Sequence, residues 1–197
     1  MKYVSIDIET TGLNPDEDQV LEIGAIIEDT SNPTTYEDAH KFNVIVEHDS
    51  YKGSAYAINM NSRIFDILAK VPSDKNKAKQ YKADNCIVKE KDVAYHFHKW
   101  LIKCGMTDNE SFPLNLAGKN LGTFDLHFLK KLPGWKRMIQ SRQRIIDPAI
   151  LFVDWNNDTV LPNLSKCKQR ACLSEHVTHH ALDDAWDVIE LLRTKYT

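Results

Sequence analysis

Residues 3–9 alternate apolar and polar side chains, the period of a strand. Residues 20–28 and 41–47 also read as strands, and short connections among the three predict an antiparallel meander. Gly12-Leu13-Asn14-Pro15 supplies turn chemistry between the first two. Farther along, the period lengthens. Helical spacing predicts helices over about 61–70, 92–103, 121–131, 163–173 and 181–195. Leu114-Asn115-Leu116-Ala117 and Arg144-Ile145-Ile146-Asp147 read as short strands between helices. Strands first, then alternating helices and strands, imply an α/β fold: a mixed sheet, parallel in its later part, flanked by helices.

A chain of 197 residues fits one domain. One stretch, 72–91, breaks the pattern, because its lysines outnumber its acids and large apolar residues are few. It reads as a solvated insertion, or alternatively as a basic arm that follows a phosphate backbone. The formal charge of −3 argues against a protein that holds nucleic acid chiefly by bulk charge. It leaves room for an enzyme that grips a few phosphates locally. Cys86, Cys104, Cys167 and Cys172 form no Cys-x-x-Cys pair, which points to free thiols in a reducing cytoplasm. Charge within the first apolar stretch argues against a signal peptide, and no apolar run approaches the roughly 18 residues of a membrane span.

The candidate chemistry is acidic. Asp7 and Glu9 stand two apart in the first strand, so their side chains share a face, while Val4, Ile6 and Ile8 take the other. Such a pair suits a divalent cation with hard oxygen ligands, Mg²⁺ or Mn²⁺, or else lies on a solvated sheet face. Asp125 falls within the apolar stripe of Leu121, Phe124, Phe128, Leu129 and Leu132, where a carboxylate needs a partner. A first-turn aspartate that complements the helix dipole is the plainer reading. Asn120 reads as the N-cap of that helix or as a substrate contact. In the last helix Asp184 flanks the apolar face, whereas Asp183, Asp187 and Glu190 group on the opposite side and read as solvated. His176, His179 and His180 precede it. A zinc site lacks nearby cysteines at finger spacing, and a histidine here reads first as a cap or surface residue.

Three motifs occur in order: Asp7-Ile8-Glu9-Thr10-Thr11-Gly12-Leu13 followed by Leu21-Glu22-Ile23-Gly24-Ala25; Asn120-x-x-x-Phe124-Asp125; and His179-x-Ala181-x-x-Asp184-Ala185. Together they resemble the DEDDh family of 3′-to-5′ exonucleases, the group of polymerase proofreading subunits and oligoribonucleases, over nearly the whole chain. The chain departs from that family in having Gly118-Lys119 before Asn120, where a histidine is common, and in the length of 72–91. The resemblance implies one RNase H-like domain with a five-stranded mixed sheet. It implies that Asp7, Glu9, Asp125 and Asp184 hold two Mg²⁺ or Mn²⁺ ions and that His179 is the general base. Thr10, Thr11, Gly12 and Leu13 would line the pocket for the terminal nucleotide, supported by Asn120 and Phe124. The implied substrate is the 3′ end of single-stranded DNA, or of RNA, with nucleoside 5′-monophosphates as products. An inactive nucleic-acid-binding module of the same fold is a further reading, although all five catalytic residues of the family are present. A polymerase or other repair partner and the oligomeric state are left open by the sequence.

Overall fold

A computed structural model describes residues 1–106, 113–175 and 178–196. The first three strands are β1 (Lys2–Thr10), β2 (Val20–Asp29) and β3 (His40–Glu47), and they pair as the antiparallel meander. β4 (Ile87–Lys89) adds in parallel to β3, and β5 (Leu116–Ala117) in parallel to β1. The order is β4-β3-β2-β1-β5, a five-stranded mixed sheet. One strand comes from an unexpected place. Arg144–Asp147 makes no strand and touches the sheet through the single bridge Ala117↔Ile146. β5 is two residues long and offers no ladder for it to extend. The missing strand is β4, inside the Lys-rich stretch, where Ile87 lies beside Ile45 and is buried. Three residues among charges show no period; the neighbour decides them.

Helices cover both faces. α1 (Ala55–Met60) and α2 (Ser62–Ala69) follow β3, and Ser54 caps α1 through its hydroxyl. The six residues of α1 are too few to show a helical period in the sequence. α3 (Lys75–Asp84) buries no residue, as suits its charge, and leads into β4. α4 (Glu90–Lys103) sets Val93, Phe97 and Leu101 against Val4, Ile6, Ile8 and Phe42. α5 (Asp125–Leu129), α6 (Trp135–Met138), a 3-10 turn (Pro148–Leu151) and α7 (Leu164–Arg170) follow. Among the described residues no helix is long and apolar enough to cross a membrane. All four cysteines are free.

The last helix, α8 (Ala181–Arg193), packs Val188, Ile189 and Leu192 on Tyr3 and Ile26, on the face of β1 that also carries the acids. Three contacts fix where it lies. At its start, a Cβ on Gly24 would stand 2.2 Å from backbone atoms of Ala181 and Leu182, so only glycine lets helix and strand meet there. In the middle, Ser5 Oγ donates to the Ala185 carbonyl at 2.7 Å. At its end, Arg193 grips buried Glu28 with Nε at 2.8 Å and Nη2 at 2.7 Å, and the Tyr196 hydroxyl adds a bond at 2.8 Å.

The other side of α8 departs from expectation. Asp187 is buried, not solvated, and pairs at 2.6 Å with Lys168 of α7, itself buried. Asp183 is half-buried and accepts from the Tyr36 and Thr178 hydroxyls, each at 3.1 Å. Glu190 is half-buried as well. A helical wheel displays apolar residues, and it cannot show that a second helix brings a lysine to meet an acid. Gly24→Ala is expected to lose about 1–3 kcal/mol through overpacking, read as a lower urea midpoint with an unchanged slope. An unaltered midpoint would mean that α8 seats without the glycine.

Candidate active site

Asp7 faces Gly24 across the β1–β2 ladder, and Glu9 faces Glu22. Directly opposed residues share a face of the sheet. The close approach at Gly24 therefore carries the first turn of α8 beside Asp7 and delivers Asp184. One ligand atom each from Glu9, Asp184 and His179 lie within 4.8 Å of one another. His179 itself is exposed, with a left-handed backbone at φ +53°. Asp125 arrives from the opposite side of β1. The β1–β5 pairing ends at Ser5↔Ala117, and the Ile8 N–H beyond it donates to Asp125 Oδ1 at 3.1 Å. Asp125 is thus tied to the backbone between the two strand acids.

Electrostatics agree with this convergence. Burial, then Asp125, Asp184, Glu9 and Glu22 in that order, hold the Asp7 carboxyl well above the usual carboxylate range. Burial, then Asp184 and Glu22, push Glu9 up to about 8, against a hydrogen bond from Asn61 and the charge of Arg63. Asp184 rises to about 7 through burial, then Asp187 and Asp183, with Lys168 pulling it down. Asp125 rises to about 7 through burial, moderated by its own N–H and that of Ile8. One oxygen of Asp184, Oδ1, is buried without a hydrogen-bond partner. Two carboxylates and an imidazole within reach of one another, with one carboxylate oxygen unsatisfied, fit a divalent cation.

The remaining sequence-predicted residues fall in two groups. Thr10, Thr11 and Gly12 form a buried turn after a bulge between Glu9 and Thr10. Thr10 Oγ1 donates to the Gly12 carbonyl at 2.7 Å, and Thr11 Oγ1 accepts from Gln19 N–H at 2.9 Å. Their hydroxyls hold the turn, and Leu13 projects from it 83% exposed. Asn120 does not cap α5. The helix begins four residues later than the stripe predicts, at Asp125, and Phe124 occupies the cap position with no side-chain bond. Asn120 sits in a left-handed turn at φ +60°, donates its N–H to Asp147 at 2.8 Å and takes the Thr123 hydroxyl on its side chain. Phe124 is half-buried and leans on Phe128, ring centroids 5.1 Å apart. Of the other histidines, His180 pairs with Asp183 at 3.5 Å, and His176 lies outside the described residues.

Sequence reasoning missed the supports around the acids. Buried Glu22 pairs with Arg63 at 2.5 Å, and buried Asn61 donates to the Thr10 carbonyl at 3.3 Å. The only clue was parity: Glu22 faces Glu9 once the register is known.

The family model RNase T, described as exonuclease, matches residues 4–192. No curated protein matches in sequence. Among solved structures the chain is similar to E. coli Exonuclease I in complex with a dT13 oligonucleotide, at 16% identity and TM-score 0.61, over 98% of this chain and 40% of that one. The zinc-bound form of the E. coli Exonuclease I–ssDNA complex gives 14% identity and TM-score 0.61, over 98% and 41%. Cell-death related nuclease 4 gives 15% and 0.61, over 98% and 62%. The chain thus spans about two fifths of Exonuclease I and under two thirds of the other nuclease.

The raised carboxyls bind protons in the folded chain at pH values where the unfolded chain has released them. Their stabilising contribution is full below the ordinary carboxylate range, about pH 4, and is lost as pH rises through about 7 to 8. Without added metal, Tm is therefore expected to fall between pH 5 and pH 8.5, and Asp7→Asn should flatten the fall. Mg²⁺ should raise Tm more at pH 8.5 than at pH 5. Equal pH slopes in Asp7→Asn and wild type would place their origin outside this cluster.

Proposed function

Because this chain belongs to the RNase T exonuclease family, we propose that it removes nucleoside 5′-monophosphates from the 3′ end of a single strand, DNA in preference to RNA. The observation that carries the proposal is the meeting of Glu9, Asp184 and His179, from opposite ends of the chain, around an unsatisfied carboxylate oxygen. The single-stranded DNA held by the similar Exonuclease I supports the choice of strand.

In this reading Asp7, Glu9, Asp125 and Asp184 hold two divalent ions. Bound Mg²⁺ or Mn²⁺ supplies an acidified water and Lewis acidity for the phosphoryl and leaving 3′ oxygens. His179 stands beside the acids and open to solvent, and its imidazole takes the proton from the attacking water. The Ile8 N–H holds one Asp125 oxygen in a fixed direction, so the carboxylate needs little reorganisation when substrate enters. Leu13, exposed in the turn that follows β1, offers an apolar surface to the terminal base. Asn120 and Phe124, in the turns that lead to Asp125, would support that pocket.

A time course on matched 5′-labelled DNA and RNA, single-stranded and duplex, with Mg²⁺ tests this directly. The expected products of single-stranded DNA shorten by one nucleotide at a time. Immediate release of a labelled mononucleotide would reverse the polarity, and faster loss of RNA would reverse the sugar preference. EDTA should stop the reaction, and Mg²⁺ or Mn²⁺ should restore it; turnover in thoroughly chelated protein overturns the metal mechanism. His179→Ala is expected to lower kcat by about 10²–10⁴-fold with Tm unchanged. Asp7→Ala should leave no turnover above background and weaker Mg²⁺ binding. Normal turnover in either variant removes that residue from the mechanism.

A further inference from the structure

Charge is distributed unevenly along the chain. Residues 126–146 contain six lysines and arginines and no acid, in a chain whose total charge is −3. The six are Lys130, Lys131, Lys136, Arg137, Arg142 and Arg144, and all are exposed. Lys131 pairs with Asp16; among the described residues no ion pair holds the other five. Like charges gathered on one face repel one another and collect counterions, which a polyanion releases when it binds.

The surface beneath them is shaped. A cavity of about 490 Å³ lies behind α5, with an apolar floor that includes Leu126, Ile139 and Ile145. Lys130, Lys136 and Arg142 stand on its rim, and no acidic residue lines it. That volume lies within the range of small-ligand sites. A second depression, about 480 Å³, shares Lys130 and Lys136 and adds Lys131 and Arg137. The basic face is thus continuous over more than one ligand's width. It also borders the helix that carries Asp125. Leu126 follows Asp125 in the same short helix, and Gly122, three residues before that acid, reaches the cavity edge. The lysines of α3, by contrast, sit beside β4 at the far edge of the sheet.

We propose that this face binds the substrate strand on the 5′ side of the scissile bond, one base resting on the apolar floor and its neighbouring phosphates on Lys130, Lys136 and Arg142. The proposal rests on the exonuclease reading for the direction of the strand. An apolar floor suits the flat base, an acid-free cationic rim suits its phosphates, and the adjoining depression suits the next nucleotide.

The test is fluorescence anisotropy in EDTA, where the proposed hydrolysis does not run, with 5′-fluorescein dodecathymidylate and the corresponding dinucleotide. For the triple variant Lys130→Ala, Lys136→Ala, Arg142→Ala, dodecamer affinity should drop about tenfold or more. The slope of log affinity against log salt should shrink by about 2, at about 0.7 per phosphate contact on a single strand. Dinucleotide affinity, with a single internucleotide phosphate, should drop less than dodecamer affinity. The charge-preserving variant Lys130→Arg, Lys136→Arg, Arg142→Lys should keep dodecamer binding, which separates charge from fold. Unchanged dodecamer affinity and salt slope in the alanine variant overturn the proposal. So does displacement of the dodecamer by thymidine 5′-monophosphate as readily as by unlabelled dodecamer, since that marks a free-nucleotide site. If wild type binds the dodecamer through these residues yet hydrolyses nothing with Mg²⁺, this face stands and the exonuclease reading falls.

Discussion

Mutual repulsion among carboxylates is the condition under which this chain has to fold. Taking even one such charge out of water costs several kcal/mol, and here Asp7 feels the charges of Asp125, Asp184 and Glu9. Nothing at that centre pulls α8 in. The helix is brought there by its apolar face on Tyr3 and Ile26, by the Ser5 hydroxyl and by the grip of Arg193 and Tyr196 on Glu28. These contacts lie along the body and far end of the helix, so attraction at one end offsets repulsion at the other. Gly24 sets the remaining separation, because a side chain there would hold the helix off the strand.

The neighbouring acids are treated differently. Glu22 meets Arg63, Asp187 meets Lys168, and Glu28 meets Arg193, each at hydrogen-bonding distance. The acids of the candidate site have no such countercharge at contact distance among the described ion pairs, and Asp184 keeps a bare oxygen. The contrast separates the two uses of a buried acid. A paired one locks elements together, and an unpaired one waits for a cation.

What was legible in the sequence follows from the same division. β1, β2, β3, α4 and α8 show strong periods because one apolar face of each meets a broad core. Asp7, Glu9, Asp125 and Asp184 stood out because they interrupt or flank those faces. β4 and α1 did not stand out, since each is too short for a period and is formed by what lies next to it. The burial of Asp187 was invisible because its partner lies on another helix. Asn120 looked like a cap by residue type, but the chain spends four more residues in turns before α5 begins. The basic run of 126–146 is readable as composition, but the two depressions it borders are not, because they form only when α5 and α6 pack.

β5 is only two residues long, so β1 leaves its sheet half finished on that side. An open run of backbone donors and acceptors is an invitation to a foreign strand. Asp125 closes part of it by taking the Ile8 N–H, with a side chain that the fold already brings there. One carboxylate would in that way both cap the strand border and, in the proposed function, hold a metal ion. A substitution that removes the carboxylate at this position would also leave the buried Ile8 N–H without its acceptor, a backbone cost that the same change at Glu9 would not carry.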